Sequence, residues 1–283
     1  MFIPRILSAG AILIGLSIAM PAAHAGPFIF SGTDADDHGS TSGTTNAGGW
    51  LYMQKVIENL ALNVTNGNAV VVSLGSDPST KAGNAANAAF NNSTLPGLGW
   101  TFLSVNGATG ISNFLTGSGL GTVTTAGIIM LDSGSNVTGG LTSTEETALS
   151  SNAGAINTFV ARGGGLFSQA NGYGWLTALG LGVTVSAESS TSIQLTAAGN
   201  AAFPGLTNSD LSSGPYHVRF NNVGALPVLG TSVNTGSDII IGALSGSITE
   251  PAASSVPEPA SLSMLGIGLA GLMVTRRRRG TPQ

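Results

Sequence analysis

Short apolar runs recur along the middle of the chain, and patterns with helical periodicity separate them. Continuous apolar runs without alternation are typical of strands that are covered on both faces, as in a parallel sheet. Runs of this kind lie at residues 28–30, 69–74, 101–105, 127–131 and 165–167. The pattern therefore predicts five buried strands, most of which pair in parallel.

The segments between these runs have the periodicity of helices. Residues 49–62 carry apolar side chains at i, i+3, i+4 and i+7, which form one stripe of a helix. The members of this stripe are Met53, Val56, Ile57 and Leu60. Residues 79–91, rich in alanine and asparagine, predict a second and weaker helix.

A third helix is predicted for residues 142–162. Ser143 and Glu146 have the spacing of a capping box at its start, and the glycines at 163–165 end it. Residues 182–245 differ, because short strands there are joined by Gly, Asn and Ser turns. Strand–helix–strand alternation followed by such a section predicts an α/β fold, with a doubly wound, mostly parallel three-layer sheet and a β-rich C-terminal part.

The N-terminal residues 1–25 have the three parts of a secretory signal peptide. A short head with Arg5 precedes the apolar run 6–20, and the small residues Ala23 and Ala25 mark a cleavage site. This order predicts a signal helix, passage through the Sec translocon and cleavage by signal peptidase. A permanent membrane anchor is the alternative.

The C-terminal residues form a second apolar segment. Residues 262–274 are apolar and four arginines follow them at 276–279. Thirteen residues of helix cover about 20 Å, and snorkelling arginines can extend that length toward the roughly 30 Å of a hydrocarbon core. Because arginine-rich flanks stay cytoplasmic, the segment predicts a transmembrane helix that holds the rest of the chain outside the cytoplasm. An ordinary tail anchor is the alternative.

The residues around this segment carry a more specific likeness. Pro257, Glu258 and Pro259 precede the apolar span, and Arg276, Arg277, Arg278 and Arg279 end it. In this order the three parts resemble the PEP-CTERM sorting signal of Gram-negative bacteria. The resemblance implies recognition by an exosortase, transient anchoring in the inner membrane, removal of the tail near Pro257–Pro259, and release to the cell surface or extracellular matrix. Bacteria with this system usually make exopolysaccharide and form biofilms.

These segments divide the chain into a signal peptide (1–25), an exported α/β domain (26–245), a linker (246–256) and a sorting tail (257–280). Removing the ends changes the charge, because residues 26–255 carry four basic and twelve acidic residues, a net charge of −8. Four scattered cations do not make the basic surface of a nucleic-acid-binding protein. The chain has no cysteine, which excludes disulfides, thiolate nucleophiles and cysteine-ligated zinc.

The order of elements and the glycine-rich segment 159–167 resemble the class I glutamine amidotransferase-like fold. In that family a sharp strand–helix elbow carries the nucleophile, and Ser168 occupies the corresponding position here. Glutaminase chemistry is disfavoured because the chain lacks the cysteine that it requires. A serine needs a nearby general base, and His217 is the candidate.

Carboxylates follow three of the predicted strands, at the edge where ligands bind in open α/β sheets. Asp34, Asp36, Asp37 and His38 follow the first strand, and Asp77 and Asp132 follow two others. Crowded carboxylates favour a bound cation, and oxygen ligands suit Ca²⁺ or Mg²⁺. The alternative is that these residues cap turns in a Gly/Ser/Thr loop.

The sequence therefore predicts an exported, exosortase-processed protein of the cell surface or matrix. Its domain is expected to be a non-catalytic structural or binding component of the envelope or biofilm, with exopolysaccharide as a candidate partner. The alternative is a secreted hydrolase or metal-dependent enzyme. In that case the cluster of Asp34, Asp36, Asp37 and His38 would act with Ser168 or His217.

Overall fold

A computed structural model describes residues 26–119, 121–190, 192–212 and 216–243. The predicted signal peptide, linker and sorting tail, with its transmembrane helix, lie outside these residues. Within the described part of the chain, no helix combines the length and hydropathy needed to cross a membrane.

The elements follow one another as strands and helices along the chain. The strands are β1 (Phe28–Ser31), β2 (Gly39–Ser42), β3 (Thr45–Gly48), β4 (Val70–Leu74), β5 (Thr101–Val105), β6 (Ile128–Leu131), β7 (Gly165–Ser168), β8 (Thr184–Ser190), β9 (Ile193–Leu195), β10 (Tyr216–Asn221), β11 (Val228–Ser232) and β12 (Asp238–Ala243). The helices are α1 (Gly49–Ala61), α2 (Lys81–Asn91), α3 (Ala108–Thr116), α4 (Ser143–Ser151), α5 (Ala153–Ala161) and α6 (Ala197–Ala202).

Ten of these strands form one sheet, whose main order is β5-β4-β6-β7-β1-β12-β10-β8. The first five strands of that order are parallel to one another, and β12, β10 and β8 continue the sheet with antiparallel pairing. β11 pairs with β12 and with β9. The predicted α/β class with a mostly parallel central sheet is confirmed.

The parallel strands are apolar throughout because both of their faces are buried. Phe28 and Phe30 of β1 lie in a core with α3, α4 and α5, whereas Ile29 between them lies in a second core with α1 and α2. Successive side chains of a strand point to opposite faces, so a continuous apolar run serves both cores. Helices therefore cover the sheet on both sides, as the sequence predicts.

The predicted helices are present, with two corrections. α1 buries its predicted stripe of apolar side chains completely or nearly so. The predicted capping box of Ser143 and Glu146 is wrong by one residue: Thr142 accepts a hydrogen bond from the Glu145 N–H, and Glu145 accepts one from the Thr142 N–H. The predicted helix 142–162 is also interrupted at Asn152, between α4 and α5.

Three strands are absent from the sequence prediction. β2 and β3 form a separate antiparallel hairpin between β1 and α1, and β11 lies beside β12. β2 and β3 consist of Gly, Ser, Thr, Asn and Ala, which lack the apolar run or alternation that marks a strand. In the structure the hairpin packs against α1 and α2.

We expect the junction between the parallel and antiparallel halves to be sensitive to cavities. Ile241 of β12 is fully buried and lies opposite Phe30 of β1 and Val228 of β11. Ile241→Ala should lower the free energy of unfolding by about 2–5 kcal/mol, because it removes buried methyl groups and leaves a void. Urea unfolding of the full chain measures this change. Val233→Ala, at a position that is 56% exposed, is the control and should change stability by less than about 0.5 kcal/mol.

Candidate functional site

The loops that follow β1, β6 and β7 meet at the carboxyl edge of the sheet. These three strands are parallel neighbours, so their carboxyl ends lie side by side. Many of the polar side chains in these loops are buried: Thr33, Asp34, Asp36, Asp132, Ser133, Gln169 and Asn171. Each such group needs a hydrogen-bond partner within the protein, and these partners define the site.

Asp36 connects the loop after β1 to the loops after β6 and β7. Its carboxylate accepts hydrogen bonds from the N–H of Ser133 (2.8 Å) and from the Ser133 hydroxyl (2.6 Å). Its own N–H donates to Oε1 of Gln169 (3.2 Å). Asp36 is completely buried, and its two oxygens are occupied by protein donors. It acts as a clamp between loops.

Asp132 has the same kind of role at the end of β6. One carboxylate oxygen accepts from the N–H groups of Gly134 (2.9 Å) and Leu141 (2.8 Å), and the other accepts from the Ser76 hydroxyl (2.9 Å). A side chain at Gly140 would lie 2.3 Å from the Gly134 carbonyl, so only glycine fits where the chain passes this carboxylate. Asp132 therefore fixes the loop 133–141 against the end of β4.

Burial raises the pKa of both clamps. The pKa of Asp36 rises from 3.8 to about 7 because of desolvation and the nearby charge of Asp132, despite the hydrogen bonds from Ser133. The pKa of Asp132 rises to about 6, mainly because of desolvation. The two buried carboxyl groups therefore resist carrying their charges together.

Ser168, the candidate nucleophile, ends β7 and is completely buried. Its hydroxyl accepts a hydrogen bond from Nδ2 of Asn171 (2.8 Å) and contacts the carbonyl oxygen of Gln169 (3.3 Å). Ser168 and His217, the candidate base, share no hydrogen bond in the described part of the structure. His217 instead contacts Asp34.

Tyr173 closes the inner side of this region. Its hydroxyl donates to the carbonyl oxygens of Ser31 (2.8 Å) and Ser168 (3.1 Å), and accepts from the N–H of Ser31 (3.2 Å). Tyr173 has a φ of +50°, an unusual backbone conformation for a bulky residue. These hydrogen bonds hold the conformation and tie the ends of β1 and β7 together.

Asp34 lies on the outer side of the loop after β1, between two imidazoles. Its Oδ2 is 3.2 Å from Nε2 of His38 and 3.1 Å from Nε2 of His217. Its pKa is raised by desolvation, although both histidines oppose this shift. Sequence reasoning does not connect His217 with this carboxylate, because 183 positions separate them and only the pairing of β10 brings them together.

Asp37 completes what we call the histidine–carboxylate cluster: Asp34, Asp37, His38 and His217. Oδ2 of Asp37 is 3.6 Å from Nε2 of His38, and its Oδ1 is 3.0 Å from Nζ of Lys81 on α2. Ligand atoms of Asp34, Asp37 and His38 all lie within 4.8 Å of one another. Asp37 and His38 line a shallow cleft of about 350 Å³, whose other side is the β2–β3 hairpin.

The remaining predicted ligand, Asp77, lies apart from these groups. It is partly exposed, and its Oδ1 accepts hydrogen bonds from the N–H (3.0 Å) and the hydroxyl (2.8 Å) of Ser79. These hydrogen bonds lower its pKa. The six predicted ligands are thus divided among a cluster in the loop after β1 (Asp34, Asp37, His38), two buried clamps (Asp36, Asp132) and a turn (Asp77).

Comparison with known proteins identifies the C-terminal end of the chain. The profile described as the PEP-CTERM protein-sorting motif matches residues 255–279. The chain carries a PEP-CTERM sorting motif. The predicted sorting signal is thereby confirmed, and it marks an exported protein, sorted to the cell surface or beyond, with an exosortase as its processing partner. Searches of curated proteins and of solved structures found no significant match.

The raised pKa values of Asp36 and Asp132 predict how the stability of the protein depends on pH. A folded-state pKa above the unfolded value means that the native state binds more protons, so stability falls as pH rises through the interval between the two values. For Asp132 this interval runs from 3.8 to about 6, and for Asp36 it runs to about 7. Each carboxyl contributes at most about 1.4 kcal/mol per pH unit.

We therefore expect the urea concentration at half-unfolding to decrease as the pH rises from 5 to 7.5. The decrease should be smaller in Asp132→Asn. The asparagine can keep the amide donors of Gly134 and Leu141 on its oxygen and donate to Ser76 from its nitrogen. A wild-type midpoint that rises over this range, or an Asp132→Asn profile equal to the wild type, would contradict the assignment of these carboxyls.

Proposed function

We propose that the exported domain is a non-catalytic structural or binding component of the cell envelope or extracellular matrix. The observation that carries this proposal is the closure of the carboxyl edge at β1, β6 and β7. Enzymes with open α/β sheets place substrates at this edge. In this chain the position is occupied by the clamps Asp36 and Asp132, whose carboxylate oxygens are used by loop donors.

The surroundings of Ser168 support the same proposal. A serine nucleophile needs a base within hydrogen-bond reach and an exposed hydroxyl. The Ser168 hydroxyl is buried and is engaged by Asn171, and the histidine that would serve as base contacts Asp34 instead. The amidotransferase-like interpretation of the fold stays a prediction. Glutaminase chemistry requires a cysteine nucleophile, and the chain has no cysteine.

The composition of the domain supports an interaction with polysaccharides. The domain is rich in Gly, Ser, Thr and Asn, and it keeps only four basic residues once both ends are removed. Such a surface offers many neutral hydrogen-bonding groups to sugar hydroxyls. We therefore propose exopolysaccharide as the binding partner within a biofilm matrix.

The route follows from the two ends of the chain. In this proposal the Sec translocon exports the chain, signal peptidase cleaves it after Ala25, and the tail holds it transiently in the inner membrane. Exosortase then removes the tail near Pro257–Pro259 and releases the domain.

The alternative function is a metal-dependent hydrolase, and one observation favours it: Asp37 and His38 of the histidine–carboxylate cluster line an open cleft. A bound metal there could activate water. In that case the chain should release products from a matrix substrate, and the release should depend on His38 and His217.

We expect processing to depend on the PEP segment. Changing Pro257, Glu258 and Pro259 together to alanine should keep the protein in the membrane fraction of the native host and abolish its appearance outside the cell. Immunoblots of membrane and cell-free fractions measure the distribution. Pro251→Ala, a proline outside the matched residues 255–279, is the control and should be released as the wild type is. Release of the triple-alanine variant would contradict the route.

We expect the protein to be retained on exopolysaccharide from the same host without degrading it. The purified full chain is passed over the immobilised polymer, and bound protein and released reducing sugar are both measured. Ser168→Ala should be retained equally, because the Ser168 hydroxyl is buried, hydrogen-bonded to Asn171, and out of reach of the polymer. Passage of the wild type without retention would contradict the binding role. Sugar release that stops in Ser168→Ala or His217→Gln would favour the hydrolase.

A further inference from the structure

A cavity of about 540 Å³ lies on the side of the sheet that α3 and α5 cover. Its walls come from the C-terminal end of α3, from α5 and from the segments that precede β4 and β6. Because these strands are parallel, the cavity lies at their amino ends, opposite to the edge that Asp36 and Asp132 close. Its volume falls within the roughly 300–1,000 Å³ of sites that bind small organic molecules.

Arg162, directly after α5, is the one charged side chain among the described residues that line this cavity. It is also unlike the other cations of the exported domain. Those three are paired with carboxylates at 2.9–3.4 Å: Lys55 with Glu58, Lys81 with Asp37, and Arg219 with Glu188. Within the described part of the chain, the Arg162 guanidinium has no hydrogen-bond or ion-pair partner.

This guanidinium makes the cavity a site for an anion. A guanidinium presents donors in a planar fork that matches the two oxygens of a carboxylate. The domain as a whole carries a net charge of −8 and therefore repels anions. At the cavity the local balance is the reverse, because the described lining residues include a cation and no aspartate or glutamate.

The inner surface of the cavity is apolar. Leu115 of α3 and Phe159 of α5 are buried and line it, together with the partly buried Val123. A small inorganic anion gains nothing from such a surface, because it has no apolar area to remove from water. The ligand that fits is therefore an organic molecule that carries the negative charge at one side.

Hydroxyl groups at the rim of the cavity point to the class of organic molecule. Thr158 of α5 donates its hydroxyl proton to the Gly154 carbonyl (2.9 Å), and Thr116 of α3 donates to the Ser112 carbonyl (2.8 Å). Both threonines are exposed and line the cavity, and each hydroxyl oxygen keeps acceptor capacity. A sugar ring has hydroxyl donors around its edge and C–H groups on its faces, so it complements both the rim and the apolar surface.

We propose that this cavity binds a uronic acid unit of an acidic polysaccharide, with the sugar carboxylate on the Arg162 guanidinium. The sugar ring contacts the apolar inner surface, and its hydroxyls donate to Thr116 and Thr158. The inference rests on the proposed matrix role and deepens it, because it names the sugar class and the place of contact. A domain with a strongly negative charge then holds an acidic polymer through one local site.

The test uses the full chain in mild detergent and a β-1,4-linked trimer of glucuronic acid. The neutral glucose trimer of the same linkage is the matched ligand control, because it differs only in having CH₂OH in place of each carboxylate. Calorimetric titration should show one site for the acidic trimer and at least about fivefold weaker binding of the neutral trimer. Added salt should weaken binding of the acidic trimer, since the ion pair lies at an exposed arginine.

The first variant removes the charge. Arg162→Gln should weaken binding of the acidic trimer by at least about fivefold and leave binding of the neutral trimer unchanged. Lys55→Gln is the matched control, because it makes the same change at a cation that is paired with Glu58 on α1, outside the cavity. It should bind the acidic trimer as the wild type does.

The second variant fills the cavity and leaves Arg162 in place. Gly154 lines the cavity, and a Cβ at this position would meet no atom within 4 Å, so the helix accepts a larger side chain there. Gly154→Leu should weaken binding of both trimers. Gly97→Leu, at another glycine with open space around it and outside the cavity, should not. Circular dichroism verifies the fold of each variant, and if one unfolds the other decides.

Four results would overturn the proposal: no binding of the acidic trimer by the wild type, equal binding of the two trimers, equal affinity for the acidic trimer in Arg162→Gln, or binding of inorganic phosphate as tight as that of the acidic trimer. The last result would show a site for simple anions.

Retention on the exopolysaccharide of the host separates this proposal from the proposed function. Equal retention of the wild type and Arg162→Gln would show that the matrix role stands and that the cavity is not the contact. Binding of the acidic trimer through Arg162 by a wild type that the host polymer does not retain would show the reverse: the uronate site stands, and the matrix role fails.

Discussion

The carboxyl edge of the sheet depends on the pair of hydrogen bonds between Asp36 and Ser133. A desolvated carboxylate is stable only when protein donors occupy its oxygens, and Ser133 supplies both its N–H and its hydroxyl. Because β7 lies between β6 and β1 in the sheet, these bonds cross the end of β7 and hold the loop after β1 against the loop after β6. The positions of the neighbouring residues in the first loop follow from this constraint.

The histidine–carboxylate cluster is one such consequence. Asp36 is buried whereas Asp37 after it is partly exposed, and Trp50 fixes the turn by donating its indole N–H to the Asp36 carbonyl (2.9 Å). Gly49, at the start of α1, packs so closely against Ala35 that a side chain there would lie 2.1 Å from the Ala35 carbonyl. The loop is thus held from inside by Asp36 and from outside by α1, and these contacts fix the positions of Asp34, Asp37 and His38.

Much of the parallel sheet can be predicted from the sequence, because strands buried on both faces leave continuous apolar runs. The proximity of Asp34, Asp37 and His38 is likewise predictable, since these residues are close together in sequence. His217 is not, because its contact with Asp34 depends on how β10 joins the sheet. The capping box is ambiguous for a local reason: Thr142 and Ser143 each precede a glutamate by three positions, and packing selects the first pair.

The register between β1 and β12 has a geometric consequence for a protein that travels with a tail. Phe28 pairs with Ala243, so the first and last described strands begin and end beside each other. Both polypeptide ends therefore leave from one pole, at the amino ends of the parallel strands, while Asp34 and its neighbours lie at the opposite pole. A segment attached to either end of the described domain therefore starts on the side of the sheet that lies away from Asp34.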